Sequence, residues 1–115
     1  MEEKRRSPRI PVRINIKTIL AGITELEGEA VDLSKEGMGI LLNDDVPENL
    51  SPGNNIIVHL NHVDLKRELD LPGKIRWIER NPDGNRLGIH LRSENNPDKN
   101  MYLAWLEHLH YQKDI

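Results

Sequence analysis

An arginine-rich segment near the start of the chain offers the first recognisable chemistry. Arg5, Arg6 and Arg9 lie within five residues, and Arg5 and Arg9 have the spacing RxxxR. Arginine presents a planar fork of N–H donors that suits phosphate or the O6 and N7 edge of guanine, and it stacks on bases. Taken alone, the segment is more typical of a solvated run of charge, so evidence for a binding site has to come from a second motif.

The second motif is DxSxxG, formed by Asp32, Ser34 and Gly37. An ionised aspartate only accepts hydrogen bonds, so Asp32 suits the ring and amino protons of guanine. Ser34 can donate to a phosphate or a base, and Gly37 permits positive φ and close approach of a ligand to the backbone. Because Asp and Ser also favour turns, we expect residues 34–37 to form a turn as well. One long strand and the strand that returns beside it would bring both motifs together into a site for an anionic guanine nucleotide.

The charge of the chain is unevenly distributed, although the net charge is only −3. Residues 1–13 carry five basic and two acidic side chains, whereas the other 102 residues carry 11 basic and 17 acidic ones. A general nucleic-acid binder more often spreads basic residues over a face. A basic arm on an acidic body therefore favours a small anion, and we expect residues 1–11 to be a flexible arm.

Length and composition set further limits. A chain of 115 residues with 37% hydrophobic residues suits one compact domain, and the absence of cysteine excludes disulfides and thiolate metal sites. No apolar run is long enough to span a bilayer, so we expect a soluble, cytoplasmic protein without membrane insertion. No nucleophile motif, Gly-rich phosphate loop or helical zinc spacing is present, so we expect no enzyme, no metal and no cofactor.

Alternating apolar residues predict a protein made mainly of strands. The predicted strands lie near residues 12–20, 25–33, 38–42, 56–60, 75–78 and 87–91. In the second of them the apolar positions change parity between Ala30 and Val31, which predicts a β-bulge. Turns are predicted at residues 72–73 and 81–85. Trp77 shares the parity of Ile75, which favours core packing over contact with a ligand.

The end of the chain changes to a helical period. Asn96 and Pro97 resemble an N-cap followed by proline at the first helical position, and the helix is expected to end near Tyr111. An apolar stripe recurs at i, i+3, i+4 and i+7, at Tyr102, Trp105, Leu106 and Leu109. We therefore expect an antiparallel barrel over residues 12–93 and a helix within residues 94–115 that packs on it.

The order and strand context of both motifs resemble the PilZ domain family. The segments that carry the resemblance are KRRSPRIPV, DLSKEGMGI, PGKIRWIER and RLGIHL, which together extend over nearly the whole chain. The resemblance implies a six-stranded antiparallel β-barrel followed by a C-terminal helix. It also implies a ligand, the bacterial second messenger cyclic diguanylate (c-di-GMP).

Residue roles follow from the resemblance by position. Arg5 and Arg9 would grip phosphate and guanine, while Asp32 and Ser34 would hold a guanine. The resemblance also implies supporting roles for residues around these four: Gly37 in shaping the turn, Arg6 and Lys4 in assisting the arginines, and Trp77 as the aromatic residue that some relatives place near the site.

Three functions compete at this point. The first is a switch in which the basic arm closes over c-di-GMP, becomes ordered and relays the signal to an unidentified effector protein. The second is a PilZ-like adaptor that contacts proteins without binding nucleotide. The third is a small barrel for single-stranded nucleic acid, which the acidic body and the scarcity of aromatic residues disfavour.

Overall fold

The fold was obtained as a computed structural model, which describes residues 9–20, 24–43, 45–92 and 96–113. These residues form six strands and one helix. In chain order the elements are β1 (Ile10–Leu20), β2 (Thr24–Leu33), β3 (Gly37–Leu42), β4 (Asn55–Leu60), β5 (Leu69–Asn81), β6 (Gly84–Leu91) and α1 (Pro97–Lys113). None of the described helical residues forms a segment long and apolar enough to cross a membrane.

The six strands close into one antiparallel barrel with the order β1-β2-β3-β6-β5-β4. Every neighbouring pair is antiparallel. Alternate residues of each strand point inward and build a core of Ile, Leu and Val, as the sequence pattern predicts. The predicted class, a mainly-β six-stranded barrel with a C-terminal helix, is confirmed.

The first strand begins earlier than the sequence pattern indicates. Ile10 is buried and pairs with Leu33, and Pro11 pairs with Asp32. The last two residues of the expected arm therefore already belong to the barrel wall. Residues 1–8, which hold Lys4, Arg5 and Arg6, lie outside the described residues.

The turn expected at residues 72–73 is wrong. Pro72 and Gly73 lie inside β5, where they pair with Ile57 and Ile56 of β4. The preceding residues Leu69 and Leu71, which the sequence pattern left outside any strand, are fully buried. Their alternating burial continues through Gly73 to Ile75, so core packing overrides the local preference of Pro-Gly for a turn.

Two β-bulges change which face of the barrel a strand presents. The bulge predicted in β2 is confirmed, since the register with β3 shifts between Ala30 and Asp32. A second shift, between Ile75 and Trp77, interrupts the pairing of β5 with β6. A bulge inserts one residue and re-aims the side chains that follow it. Residues Asp32 and Trp77 both owe their outward direction to these irregularities.

The helix begins at its predicted N-cap. The amide of Lys99 donates to the side-chain oxygen of Asn96 at 2.7 Å, which satisfies one of the free N–H groups of the first turn. The apolar stripe packs as expected, with Tyr102, Trp105 and Leu106 buried and Leu109 partly buried. The helix also makes contact with β5.

Candidate functional site

The two sequence motifs meet in the folded chain. Arg9 directly precedes β1, Asp32 lies near the end of β2, and Ser34 follows that strand. The guanidinium of Arg9 donates through Nε to Asp32 Oδ1 at 2.9 Å, and its Nη2 lies 2.9 Å from the same oxygen in an ion pair. Its Nη1 donates to Ser34 Oγ at 3.2 Å. These three residues are called the site cluster below.

Antiparallel pairing explains why residues so far apart in sequence come together. Pro11 is directly opposite Asp32 in the β1–β2 register, so the residue that leads into β1 reaches the end of β2. The Arg9 side chain is 52% exposed and that of Asp32 is 33% exposed. Both charges are therefore paired with one another and still accessible from solvent.

Ser34 is held by the turn between β2 and β3, as the sequence predicts. Its side chain is only 1% exposed, and its Oγ accepts a hydrogen bond from the amide of Gly37 at 3.2 Å. The amide of Ser34 donates in return to the carbonyl of Gly37 at 2.9 Å. Arg9 therefore contacts a hydroxyl whose position the backbone already determines.

Gly37 has a different role from the one its motif suggests. The glycines with positive φ in the described chain are Gly53 and Gly84, so a left-handed conformation is not what requires glycine at this position. A Cβ on Gly37 would instead collide with the backbone carbonyl of Ile89 in β6. Gly37 therefore allows β3 and β6 to approach each other closely beside the turn.

A pair of glycines that the sequence reasoning missed lies next to Asp32. Gly39 of β3 and Gly88 of β6 are directly opposite each other, and their outer faces carry no side chain. The amide of Gly39 donates to Asp32 Oδ1 at 3.2 Å, and Asp32 Oδ2 lies 2.7 Å from where a Gly39 Cβ would stand. The segments GMG and LGI contain these residues, but only strand register shows that they face each other.

Trp77 lies across the other member of the glycine pair. A Cβ on Gly88 would overlap the indole ring, and Trp77 pairs with Gly88 in the β5–β6 register. The side chain is 45% exposed, so the expectation that Trp77 packs in the core is wrong. The bulge after Ile75 reverses the alternation and turns the indole outward.

The outer face thus presents a continuous row across four strands. Cross-strand register sets the order as Asp32, Gly39, Gly88 and Trp77, from β2 through β3 and β6 to β5. A carboxylate stands over one glycine and an aromatic ring over the other. Both glycines are buried beneath these two side chains. The row therefore presents a hydrogen-bond acceptor and an aromatic ring close to each other, which suits a flat heterocycle.

The helix reaches the same turn from inside the molecule. Tyr102 of α1 is fully buried, and its hydroxyl donates to the carbonyl of Ser34 at 2.8 Å. Burial raises the pKa of the Tyr102 hydroxyl above its ordinary value, so it remains a protonated donor. The sequence pattern identified Tyr102 as a core residue of the helix but not as a partner of the site.

A second charged group, the histidine cluster, consists of His59, Glu68 and Asp70. His59 and Asp70 are directly opposite in the β4–β5 register, and His59 Nδ1 lies 2.6 Å from Asp70 Oδ1 and 3.4 Å from Glu68 Oε2. The three donor groups come within 4.8 Å of one another, close enough to hold a metal ion. Sequence reasoning considered only helical histidine spacing, and cross-strand pairing alone assembles this group.

Comparison with known proteins agrees with the resemblance noted in the sequence. Residues 3–108 match the model of the PilZ domain family. A sequence search of curated proteins finds no significant relative.

Several solved structures share the fold. The PilZ domain of YcgR from Escherichia coli, solved with c-di-GMP, has a TM-score of 0.76 and 20% identity, over 96% of this chain and 94% of that one. The PilZ domain of CeSA from a cellulose-synthesizing bacterium has a TM-score of 0.71 and 24% identity, over 90% and 99% of the two chains. MotI (DgrA), the inhibitor of motility of Bacillus subtilis, has a TM-score of 0.71 and 14% identity over 96% of this chain.

The chain spans about half of MotI, covering 52% of that protein. At identities below one quarter, these likenesses concern the fold alone. The family match is broader evidence, because it extends over most of the sequence and includes both motifs. The chain therefore belongs to the PilZ domain family.

Proposed function

We propose that this chain binds c-di-GMP on the outer face of the barrel, between the site cluster and Trp77. The observation that carries the proposal is the contact of Arg9 with both Asp32 and Ser34, at 2.9 and 3.2 Å. An arginine, a carboxylate and a hydroxyl at one point provide donors for phosphate and an acceptor for guanine. The solved complex of the YcgR PilZ domain with c-di-GMP supports this choice of ligand by analogy of fold.

The row on the outer face supplies a place for a guanine base. Oδ1 of Asp32 receives the hydrogen bonds of Arg9 and Gly39, while Oδ2 lies over Gly39. A base that lies over this row could donate the protons of its Watson–Crick edge to the carboxylate. The half-exposed indole of Trp77 forms the other end of the row and offers a face or edge for aromatic contact.

The phosphates of the ligand require more positive charge than the described site offers. Asp32 already balances the charge of Arg9. The sequence holds further cations directly before Arg9, at Lys4, Arg5 and Arg6. We propose that these residues close over the bound nucleotide, since charge-assisted contacts offset the entropy lost when the segment is ordered.

The same closure would relay the signal to an effector protein. Ordering residues 1–8 changes the surface beside the site, and a partner can distinguish the two states. Amide exchange at residues 4–10 should slow when c-di-GMP is saturating, and unchanged exchange would exclude closure. A cytoplasmic location, expected from the sequence, stays a prediction.

Direct titration tests the proposed function. Isothermal calorimetry with c-di-GMP should show saturable binding, whereas GTP and GMP should bind far more weakly because they lack the second linked guanine. An absence of heat and of chemical-shift changes with c-di-GMP would contradict the proposal and favour the adaptor that contacts proteins without nucleotide.

The variant Asp32→Ala tests which residue reads the base. It should weaken c-di-GMP binding about tenfold or more and reduce the preference over cyclic di-AMP, because guanine loses its acceptor. Glu29→Ala is the matched control, since Glu29 is another β2 carboxylate that pairs with an arginine, Arg13, at 3.0 Å. Equal effects of the two variants would show that Asp32 acts only through its charge.

A further inference from the structure

Tyr102 joins the C-terminal helix to the turn that carries Ser34. Its hydroxyl lies 2.8 Å from the carbonyl of Ser34 and 3.3 Å from the carbonyl of Gly37. A phenol has one proton, so the shorter contact is the main hydrogen bond and the longer one a shared contact. The two residues at the ends of the turn are thus held from the core side by one side chain.

The contact matters because the same two residues position the site from the solvent side. Ser34 Oγ accepts from both Gly37 and Arg9, at 3.2 Å each. A rotation of the Ser34 backbone would therefore displace the hydroxyl that orients Arg9. The carbonyl of Glu36 inside the turn is fixed separately, by the amide of Leu91 in β6 at 2.8 Å.

The other contacts of the helix are with a different part of the chain, away from the turn. Trp105 Nε1 lies 3.4 Å from Asp64 Oδ2, and the Trp105 ring stacks at a tilt on His62 with 5.2 Å between centroids. The amide of Asp70 at the start of β5 donates to Asp98 in the first helical turn at 2.8 Å. The helix therefore bridges the Ser34–Gly37 turn to the segment before β5.

We infer that Tyr102 is a positioning residue for the nucleotide site and that α1, through this side chain, holds the Ser34–Gly37 turn from the core side. This inference rests on the proposed binding of c-di-GMP. When the Tyr102 hydroxyl holds Ser34, the turn is pre-organised and Arg9 has a fixed partner. Without it, only the fraction of molecules with an ordered turn binds, and the apparent affinity falls by that fraction.

The variant Tyr102→Phe tests the inference because it removes one hydroxyl and keeps the ring in the core. We expect c-di-GMP to bind about fivefold more weakly, corresponding to one net hydrogen bond. Amide exchange at residues 34–38 should be faster in the ligand-free variant than in the wild type. A double-mutant cycle with Ser34→Ala should be non-additive, because both changes act on the same turn.

Trp105→Phe is the matched control. It also removes a hydrogen bond between α1 and the rest of the chain, but at Asp64 rather than at the turn. Its affinity for c-di-GMP should stay within about twofold of the wild type, the spread expected for a change that shares no partner with the site. An equal loss of affinity in the two variants would mean that any weakening of the helix contacts lowers binding. That result would overturn the inference.

A measurement on the wild-type chain tests the inference even if a variant fails to fold. Saturation with c-di-GMP should slow amide exchange in α1 around Tyr102 as well as in the turn. Binding with protection confined to the turn, or unchanged affinity of a folded Tyr102→Phe, would overturn the inference while leaving the proposed function intact. Failure of the wild type to bind c-di-GMP would instead overturn the proposed function, and this inference with it.

Discussion

The site cluster and the histidine cluster are both charged groups on the outer face of the barrel, yet they differ in what surrounds them. Around Arg9 and Asp32 lie a buried serine, two buried glycines and an exposed indole. Around His59 the partners are the exposed carboxylates of Glu68 and Asp70, with side chains 53% and 60% exposed.

Polar and charged side chains close to one another are therefore not enough to identify a binding site for a flat ligand. Exposed pairs contribute little, because solvent screens them and the side chains lose entropy when they are held. The region around the site cluster adds what a flat, anionic ligand needs: an exposed aromatic surface and a hydroxyl whose position is determined from inside. The histidine cluster offers donor atoms without such a surface.

Removing one arginine from each region should show the largest difference between them. Arg9→Ala should weaken c-di-GMP binding about ten- to a hundredfold, since a good bidentate arginine contact contributes about 1–3 kcal/mol. Arg67→Ala is its counterpart, because Arg67 pairs with Asp98 beside the histidine cluster at 2.5 Å. Calorimetry should show unchanged affinity for Arg67→Ala, and equal losses in both variants would mean that the regions do not differ.

The exposed aromatic residue gives a second, smaller test. Trp77→Leu should weaken c-di-GMP binding about tenfold, because contact between a base and an aromatic side chain contributes about 1–3 kcal/mol. The melting temperature should change little, since the indole is 45% exposed. Affinity equal to wild type, measured by calorimetry, would show that Trp77 does not contact the ligand.

The weakest effect is expected for Asp98, which lies beside the histidine cluster, and it is an effect on stability. The hydrogen bond from the Asp70 amide lowers the pKa of Asp98, and Arg67 lowers it further against the opposing effect of burial. The ionised form therefore stabilises the fold at neutral pH, and this contribution disappears as the pH falls through the lowered pKa.

Asp98→Asn should consequently reduce the free energy of unfolding at pH 7 by up to about 1 kcal/mol, the upper range for a solvent-screened pair. The difference from wild type should shrink below about pH 4, where the carboxyl is protonated in the unfolded chain. Urea unfolding at several pH values measures it. A constant difference at all pH values would show that the charge of Asp98 is not the cause.

Much of the fold could be predicted from the sequence because it depends on local patterns. Alternation of Ile, Leu and Val predicts strands, and a change of parity at Ala30 predicts the bulge that the β2–β3 register shows. The helix was readable from Asn96 and its apolar stripe. Local reasoning failed at Pro72-Gly73, because a turn preference is weaker than continuous burial of alternate residues along β5.

The residues that could bind an anionic guanine nucleotide follow from the sequence, because arginine, aspartate and serine carry their donors and acceptors wherever they are placed. Their neighbours in space depend on the folded chain. Gly39 and Gly88 face each other only through strand register, Trp77 turns outward only because of a bulge, and Tyr102 reaches Ser34 only because the helix packs there. Each of these contacts joins residues distant in sequence, and no local pattern encodes such distances.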